Sequence, residues 1–584
     1  MRADSQAFAR RHWPALAVAA LTAVLAADHL LWLEHSRDGF PFDVDESRYA
    51  GFGLGLHDRF AADGLSGFWD AWSELQDFAP LLPLTSVPLF ALFGDGQTTI
   101  LSAQLPFFVA LVATAYLLGA RLASPATGAL VALAVAASPI AIDFTRSYHF
   151  AVTSGALLLA SLYALLASER FSRSGWSIAW GVLLGLTALS RTMTVALIPA
   201  QLLAAAWLLA AEPEQRRRRL AHAAAGLGLG VAVALTWYAA NWDNVLDYLT
   251  NSGYGSASTA YGPDRSPLEL GYWTAEWSSA VRGDLFLPLG ALLSASLALG
   301  AALLVREGRA AHARGRIGDA ALRFLRSDLA IVLFVAAWSY LALTSSRNEG
   351  VGFRMVFIPA AIVLAGCCVH RLPWRRVRVA LVVGIVAASA LNLVVKSSLA
   401  PGVARRTVAD LPLLGDSIVI DRGGWIQRYV TSAGVEVEPG SPELPESQRG
   451  WLPAYRLIVA SVRRQRPVPG FVPVTAIAVY EPLFNQFDLT LAGTSDFDES
   501  FYAVGLARPE QPSHPQGYEA QLRSGLQPNL LVTVHPARSS FGEPPPPQAV
   551  IERASRRVGF EPIARQELPD GRYATLWLLD PRGR

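Results

Sequence analysis

The chain has 584 residues, of which 52% are hydrophobic and only 16% are charged, whereas an average soluble domain is about 25% charged. Its formal net charge of +2 excludes nucleic-acid binding driven by electrostatics as the main activity. The only cysteines, Cys367 and Cys368, are adjacent, which excludes a disulfide framework, a CxxC redox pair and a cysteine zinc site. Lys396 is the only lysine, so a bound phosphate must be held by arginine, backbone amides or a metal.

Long apolar runs recur up to about residue 396 and predict an α-helical polytopic membrane protein, because roughly 20 helical residues cross the hydrocarbon. We predict eleven transmembrane helices, at about 13–34, 98–120, 124–142, 150–168, 176–190, 192–211, 221–241, 285–305, 329–344, 355–370 and 378–396. The stretch 176–211 is divided into two short spans that turn at Arg191. A single helix would be about 54 Å long, and basic residues flank both ends of the stretch, which places both ends on the same side of the membrane. The short run 80–93 is predicted to lie at the membrane face.

Arginine clusters predict the direction of these spans, since cytoplasmic loops collect basic residues. The clusters are Arg2, Arg10 and Arg11; Arg121; Arg170 and Arg173; Arg216–Arg219; Arg306–Arg326; and Arg371–Arg378. All fall on one side when the N-terminus is cytoplasmic, and the odd number of spans then puts the C-terminus outside. The first span continues apolar through Leu33, too long for a signal peptide, and is predicted to be an uncleaved anchor. The outer loops are 35–97, 242–284 and 345–354.

The tail, 397–584, is predicted to be a soluble extracytoplasmic α/β domain that follows a transmembrane domain of residues 1–396. The predicted strands are Ser417–Asp421, Tyr455–Ala460, Thr475–Tyr480, Leu530–Val534 and Thr575–Leu579, and helical patterns cover 425–433 and 548–558. The tail contains neither GxGxxG nor GxxxxGK[ST], so no nucleotide site is predicted. We interpret it as a packing or acceptor-docking domain.

An acidic segment opens the first outer loop: Asp43, Asp45 and Glu46 lie within four residues and Arg48 follows. Mutual repulsion raises the pKa of at least one carboxyl group, which suits a general base near neutral pH. The same oxygens suit a divalent cation. The alternative is a solvated acidic loop that starts a helix, because acidic residues favour helix N-termini.

The segment Asp45-Glu46-x-Arg48-Tyr49-Ala50 resembles the Asp-Glu motif in the first extracytoplasmic loop of the GT-C glycosyltransferases. The nearest branch contains the protein O-mannosyltransferases and the lipid A aminoarabinose transferases. Four further segments resemble that branch in order: Phe78–Pro83 through Phe93-Gly94, Ser138-Pro139 with Arg146, Ser190-Arg191-Thr192, and Phe353-Arg354 through Ile358-Pro359. The likeness covers about residues 13–370.

The chain departs from the family pattern at two places. The family often carries an aspartate shortly after the third-span arginine, whereas this chain has Ser147–Ala151, with His149 and Asp143 as candidate replacements. The family's Arg-Tyr pair is Arg354-Met355 here.

The resemblance implies an integral enzyme of a bacterial plasma membrane that uses a polyprenyl-phosphate sugar donor outside the membrane. The acceptor would be a lipid, polysaccharide or protein, and transfer would proceed by inversion. Asp45 is the predicted base, and Glu46 would orient it or bind acceptor. No cofactor is implied beyond the option of a divalent cation on Asp43, Asp45 and Glu46. The other predicted substrate-binding residues are Arg48, Tyr49, Arg146, His149, Arg191, Tyr272, Trp273, Arg347 and Arg354.

The arginines in this set suit phosphate because the guanidinium fork binds two oxygens at once. The alternative for each is an interfacial anchor that extends to water. Tyr272 and Trp273 belong to an aromatic loop that would stack on sugar rings or form a belt at the interface.

Two other classes of function stay open. A transporter or polysaccharide polymerase would place charges and broken helices near mid-membrane, whereas the charges here collect in loops and at span ends. A sensor or scaffold would act through a partner-binding tail and would not need Asp45.

Overall fold

The computed structural model describes residues 2–37, 42–74, 79–210, 215–256, 258, 266, 268–346, 348, 350, 352–398, 406–411, 416–421, 450–464, 474–479, 481, 484–495, 502–509, 511–523, 528–538 and 545–579. The chain forms two compact units. The first comprises Met1–Leu33, Leu56–Leu89 and Leu101–Arg422, and the second comprises Glu34–Gly55, Phe90–Ile100 and Gly423–Arg584.

Helices make up almost all of the described residues before residue 397. They are α1 (Arg2–Trp32), α2 (Val44–Ser73), α3 (Leu81–Phe93), α4 (Gln97–Ser102), α5 (Leu105–Leu122), α6 (Pro125–Ala136), α7 (Pro139–Thr145), α8 (Ala151–Ala167), α9 (Ser174–Ser190), α10 (Ile198–Ala210), α11 (Arg216–Tyr248), α12 (Leu270–Ser279), α13 (Leu287–Ala313), α14 (Ile317–Leu325), α15 (Asp328–Ser345), α16 (Ile358–Arg371) and α17 (Arg375–Lys396). Short 3₁₀ segments at Thr192–Leu197 and Phe353–Val356 precede α10 and α16.

Within the described residues, seven helical segments are long and apolar enough to cross a membrane, and the bent pair α6 and α7 makes an eighth. Four shorter apolar helices are α3, α8, α9 and α16. Each of the eleven predicted crossings coincides with one of these helices, and the run 80–93 corresponds to α3. The prediction of a polytopic helical membrane protein is confirmed.

The predicted span 124–142 is divided into two helices that meet at 59°. Pro139 begins α7, and its ring nitrogen has no hydrogen to donate to the turn before it. A residue before proline is driven to extended backbone, and Ser138 has φ −70° and ψ 131°. The bend therefore follows directly from Ser138-Pro139.

Helices α9 and α11 pack backbone to backbone through four glycines. Gly181 and Gly185 on α9 face Gly226 and Gly230 on α11, and a Cβ atom on any of the four would collide with a carbonyl oxygen of the opposite helix. Small residues four apart permit such close approach in membranes, where packing rather than water drives association. By contrast, Gly228 faces open space.

Contacts between helix ends agree with the predicted alternation of the spans. At one end of the first unit, Arg146 after α7 forms an ion pair with Asp28 of α1. At ends assigned to the other face, Arg121 of α5 forms an ion pair with Asp328 of α15, and Arg170 after α8 donates to the carbonyl oxygen of Arg326. These ends are the ones that the eleven-span topology brings together.

The tail contains two sheets, which confirms the predicted α/β character. In the first unit, β1 (Arg406–Leu411) pairs antiparallel with β2 (Asp416–Asp421). In the second unit, β3 (Val474–Ile477), β4 (Tyr502–Gly505), β5 (Leu530–His535), β6 (Phe560–Glu567) and β7 (Tyr573–Leu579) form a mixed sheet in the order β4-β3-β5-β7-β6. Four helices accompany it: α18 (Trp451–Arg464), α19 (Gln486–Ser495), α20 (Pro515–Arg523) and α21 (Gln548–Val558).

Most of the predicted tail elements are present, and one is wrong. The predicted strands at 417–421, 530–534 and 575–579 correspond to β2, β5 and β7. The predicted strand at 475–480 overlaps β3. The predicted helix at 548–558 corresponds to α21. The predicted helix 425–433 lies outside the described residues. Tyr455–Ala460 is not a strand, since it belongs to α18.

The error at Tyr455–Ala460 has a clear physical reason. The buried residues of α18 are Trp451, Ala454, Tyr455, Ile458 and Val459, which recur at the three- and four-residue spacing of one helix face. A short apolar run resembles a buried strand when only its centre is considered.

Gly230→Ala should lower the free energy of unfolding of the purified chain by about 1–3 kcal/mol, because the added Cβ forces α9 and α11 apart. Gly228→Ala is the matched control on the same helix, and it should leave stability unchanged or raise it by up to about 1 kcal/mol. Thermal unfolding in detergent measures both. Equal stability of the two variants would refute glycine-mediated packing.

Candidate functional site

The acidic segment forms the start of helix α2 and caps it reciprocally. The Oδ1 atom of Asp43 accepts hydrogen bonds from the backbone N–H groups of Asp45 at 2.8 Å and Glu46 at 2.9 Å. In return, Oε2 of Glu46 accepts from the backbone N–H of Asp43 at 3.1 Å. This is a capping box, which satisfies donors that the first helical turn leaves unpaired.

An arginine completes the capped turn. Nη2 of Arg37 lies 2.5 Å from Oε2 of Glu46, and both side chains are fully buried. The Arg37 guanidinium also lies 5.6 Å from the centre of the Phe42 ring. Removing one partner of a buried ion pair costs about 3–5 kcal/mol, so Glu46 is locked in place. Sequence reasoning missed Arg37, although it follows the first span directly and lies on the predicted outer side.

Exposure separates the three carboxylates of this segment. Asp43 is 2% exposed and Glu46 is fully buried, whereas Asp45 is partly exposed. The next predicted residues continue the same helix: the Arg48 guanidinium lies 5.0 Å from the Phe487 ring centre, and Tyr49 is 6% exposed. Asp43 and Glu46 therefore belong to the buried helix start, whereas Asp45 is partly exposed.

A second capped helix supports the acidic turn within the second unit. Asn485 caps α19, and its Oδ1 accepts from the backbone N–H groups of Phe487 at 2.9 Å and Asp488 at 3.0 Å. Its Nδ2 donates to Oδ2 of Asp488 at 2.7 Å, and the Tyr455 hydroxyl donates to the same oxygen at 3.3 Å. Hydrogen bonds from Asn485 and Tyr455 to the carboxylate, and from the backbone N–H of Asp488 to Asn485, therefore hold Asp488 in place.

Asp488 is a buried carboxyl group next to another one. Burial raises the pKa of Asp488 well above its ordinary value, and the negative charge of Asp43 raises it further, while hydrogen bonds from Asn485, Ser47 and Tyr455 act in the opposite direction. A cavity of about 110 Å³ borders Asp488, Phe42 and residues of the α3–α4 turn, room for about three water molecules. The acidic helix start thus contacts a carboxyl group that favours its neutral form.

In the first unit, Arg146 is the centre of a buried polar network. Its guanidinium donates to Asp28 at 2.8 Å, to Nδ1 of His29 at 3.0 Å and to the carbonyl oxygen of Lys396 at 2.7 Å. The Lys396 ammonium in turn lies 2.7 Å from Oδ1 of Asp143. These contacts join the ends of α1, α7 and α17, so Arg146 and Asp143 have structural partners in addition to any role in binding.

His149 lies in the turn between α7 and α8 and is 3% exposed. Its carbonyl oxygen accepts a hydrogen bond from the Gln104 side chain, and its ring meets Phe144 edge-on at 5.9 Å. The adjacent Tyr148 hydroxyl lies 2.5 Å from Oγ of Ser86. The turn that contains His149 is therefore tightly packed.

Arg354 forms a second charged cluster at Glu276 and Asp284. It holds Glu276 through Nε at 2.5 Å and Nη2 at 3.1 Å, and Asp284 through Nη1 at 3.1 Å. Burial disfavours the charged form of Arg354, but these hydrogen bonds and charges outweigh it and raise its pKa above the ordinary value.

The two aromatic candidates in α12 anchor the same region. The Tyr272 hydroxyl donates to the carbonyl oxygen of Thr344 at 2.6 Å, and the carbonyl oxygen of Trp273 accepts from the Tyr340 hydroxyl at 2.6 Å. These bonds attach α12 to α15. Tyr272 is 2% exposed, so its ring packs inside the protein.

Arg191 lies against an aromatic ring. It lies in extended backbone directly after α9, with its guanidinium carbon 3.5 Å from the centre of the Phe353 ring. The Arg191 carbonyl accepts from the N–H and hydroxyl groups of Thr194, which fixes the turn. Stacking covers one guanidinium face, whereas its N–H groups lie in the guanidinium plane. Arg347 lies outside the described residues.

Stability should fall with rising pH through the titration of Asp488. Its folded-state pKa is raised above the ordinary 3.8, so its contribution is full below that value and is lost as pH rises through the folded pKa. Asp488→Asn, which mimics the neutral form, should flatten the decline in melting temperature above about pH 4. Glu561→Gln, an exposed carboxylate on β6 of the second unit, is the control. Parallel pH profiles for wild type and Asp488→Asn would contradict this assignment.

Comparison with known proteins identifies the architecture. Residues 77–241 match the family model described as dolichyl-phosphate-mannose-protein mannosyltransferase. No curated protein sequence matches the chain. The crystal structure of ArnT from Cupriavidus metallidurans bound to undecaprenyl phosphate has a TM-score of 0.56 and 14% identity, and its apo form has 0.53 and 15%. Both alignments cover 97% of this chain and 98% of ArnT. This protein therefore has the fold of the GT-C integral-membrane glycosyltransferases and is similar to their protein O-mannosyltransferase and lipid A aminoarabinose transferase branch.

Proposed function

We propose that the protein transfers a sugar from a polyprenyl-phosphate donor to an acceptor hydroxyl at the extracytoplasmic face of the membrane, with inversion. The mannosyltransferase family match over residues 77–241 supports the reaction class. The ArnT structure with the same fold contains undecaprenyl phosphate, which supports a lipid-linked donor. The acceptor is a lipid, polysaccharide or protein hydroxyl.

The observation that carries this proposal is the difference in burial among the three carboxylates. Asp43 and Glu46 are buried and hold the start of α2, and Asp45 is partly exposed between them. As the acceptor oxygen attacks the anomeric carbon, Asp45 takes the acceptor proton and the bond from that carbon to the phosphate oxygen breaks. A carboxylate fixed on a rigid helix start is well suited to this task. Glu46 orients Asp45 through the capped turn.

The leaving group is a polyprenyl phosphate, which needs positive charge more than a proton. Preorganised cations at developing charge contribute several kcal/mol. Arg146 and Arg354 bind carboxylates of the protein, and Arg191 stacks on Phe353. We assign Arg191 to the donor phosphate, because Ser190-Arg191-Thr192 resembles the family's turn between two short spans and a guanidinium fork suits phosphate oxygens.

A divalent cation is compatible with the acidic helix start. Carboxylate oxygens such as those of Asp43, Asp45 and Glu46 are the ligands that hard cations prefer. Such a cation would supply positive charge toward the donor phosphate. The capped turn fixes the carboxylates of Asp43 and Glu46 without it.

The same proposal places the protein in a bacterial plasma membrane with a cytoplasmic N-terminus. The apolar helices support multi-pass insertion, and the arginine clusters support this orientation. Residues 397–584 would then face the extracytoplasmic side and would help to bind the acceptor.

Asp45→Asn should reduce sugar transfer by about 10²–10⁴-fold, the usual contribution of a general base. Transfer is measured with purified protein and a panel of polyprenyl-phosphate sugars, with and without chelator. Asp58→Asn, an exposed carboxylate on the same helix, should retain full activity. Unchanged transfer by a correctly inserted Asp45→Asn protein would refute the role of Asp45, and loss of transfer on chelation would assign the cation.

Arg191→Gln should lower kcat/KM for the donor by about 10–100-fold, because hydrogen bonds to charged groups contribute about 1.5–3 kcal/mol. Arg191→Lys should restore part of the loss through its charge. The control is Arg59→Gln, which removes an exposed arginine of the first outer loop and should not change donor kinetics. Equal kinetics for Arg191→Gln and the control would exclude contact with the phosphate.

A further inference from the structure

The first turn of helix α19, in the tail, contacts the acidic helix start. Both segments belong to the second compact unit. The guanidinium carbon of Arg48 lies 5.0 Å from the centre of the Phe487 ring. The carboxyl group of the next tail residue, Asp488, lies beside Ser47 and Asp43. Two consecutive residues of the tail therefore contact the beginning of α2.

The rest of the tail holds the first turn of α19 in place. Asn485 is fully buried and caps the helix through two backbone hydrogen bonds. The adjacent Phe484 ring stacks on the Tyr455 ring, with 5.4 Å between the ring centres and 7° between the planes. The side chain of Asn485 also donates to the carbonyl oxygen of Glu481, whose carboxylate forms a buried ion pair with Arg572 at 2.6 Å. The turn is thus a firm support for whatever it contacts.

The contact with Phe487 bears directly on the surroundings of Asp45. Asp45 and Arg48 are three residues apart on α2, and residues at this spacing are neighbours on one helix face. Both side chains are partly exposed. A guanidinium group is attracted to the face of an aromatic ring, so the Phe487 ring helps to set where a positive charge lies beside the proposed base.

The chemistry of this contact separates positioning from packing. A ring that served only to fill space could be replaced by another apolar side chain of similar size. A ring that holds a guanidinium group cannot be replaced in this way, because an aliphatic side chain lacks the negative face that attracts the cation.

We propose that Phe487 is a positioning residue for the transfer reaction, through which the tail holds Arg48 and the start of α2 while Asp45 meets the acceptor hydroxyl. This inference rests on the proposed function, in which Asp45 is the base. Catalytic groups need a supporting shell of fixed side chains, and a misplacement of about 1 Å can lower a rate by about 10²-fold. The tail then contributes to catalysis itself, in addition to any role in binding the acceptor.

Phe487→Leu keeps an apolar side chain but removes the ring, and it should lower kcat for sugar transfer by about 2–30-fold, the range expected for one cation–π contact. Phe487→Tyr keeps the ring and should retain the wild-type rate. The matched control is Tyr573→Leu, which removes another ring of the tail, 4.0 Å from the guanidinium carbon of Arg565. It should leave the rate unchanged.

A double-mutant cycle tests whether Phe487 acts through Arg48. In an Arg48→Met background, Phe487→Leu should cause no further loss of the residual rate, because the charge that the ring holds is absent. An equal loss in both backgrounds would show that Phe487 acts through packing alone and would overturn the proposal. A wild-type rate for Phe487→Leu would overturn it as well.

Hydrogen exchange on the full-length protein keeps this inference separate from the proposed function, since it needs no turnover. The backbone amides of residues 44–50 should exchange several-fold faster in Phe487→Leu than in wild type, and at the wild-type rate in Tyr573→Leu. This result in a protein that transfers no sugar would refute the proposed function and leave the tail's hold on the acidic turn established. Unchanged exchange in Phe487→Leu would refute the positioning role, even if sugar transfer is observed.

Discussion

The structure depends on one constraint: a charge within an apolar helical bundle needs an opposite charge or a polar partner, because no water is available to it. An unpaired charge at mid-bilayer costs about 3 kcal/mol on insertion scales. Arg146 accordingly pairs with Asp28, and Lys396 pairs with Asp143. These pairs connect residues that are more than a hundred positions apart, and they bring the ends of three helices together.

The same constraint explains why the acidic segment is a structured site rather than a solvated loop. Asp43 and Glu46 are buried, and they are tolerated because backbone N–H groups and Arg37 satisfy them. The capped turn holds Asp45 on a fixed backbone with its side chain partly exposed. A helix start and a catalytic site are therefore compatible interpretations of the acidic segment, since the capped turn would also position Asp45 as the proposed base.

Sequence reasoning succeeded where the determinants are local. Long apolar runs predict helices from neighbouring residues alone, and helices are present at those positions. The bend at Ser138-Pro139 was not predicted, since 124–142 was interpreted as one span. Sequence reasoning failed at Tyr455–Ala460, where a short apolar run fits a strand as well as a helix.

Sequence reasoning also missed the partners of the predicted residues. Arg37 with Glu46, Glu276 with Arg354 and Asp488 beside Asp43 depend on the folded chain, and nothing in one sequence indicates which charges meet. The acidic motif itself was found because its residues are contiguous. The residues that hold it were not found, because they come from a distant helix of the tail and from an isolated arginine.

The proposed reaction requires the capped acidic turn to face the extracytoplasmic side, level with the headgroup of the polyprenyl-phosphate donor. Single-cysteine labelling tests it most directly, with Cys367 and Cys368 replaced by alanine and an impermeant maleimide applied to intact cells. Asp45→Cys should react from outside, and Arg217→Cys should react only after permeabilisation. Labelling of Arg217→Cys in intact cells, with Asp45→Cys protected until permeabilisation, would contradict the account.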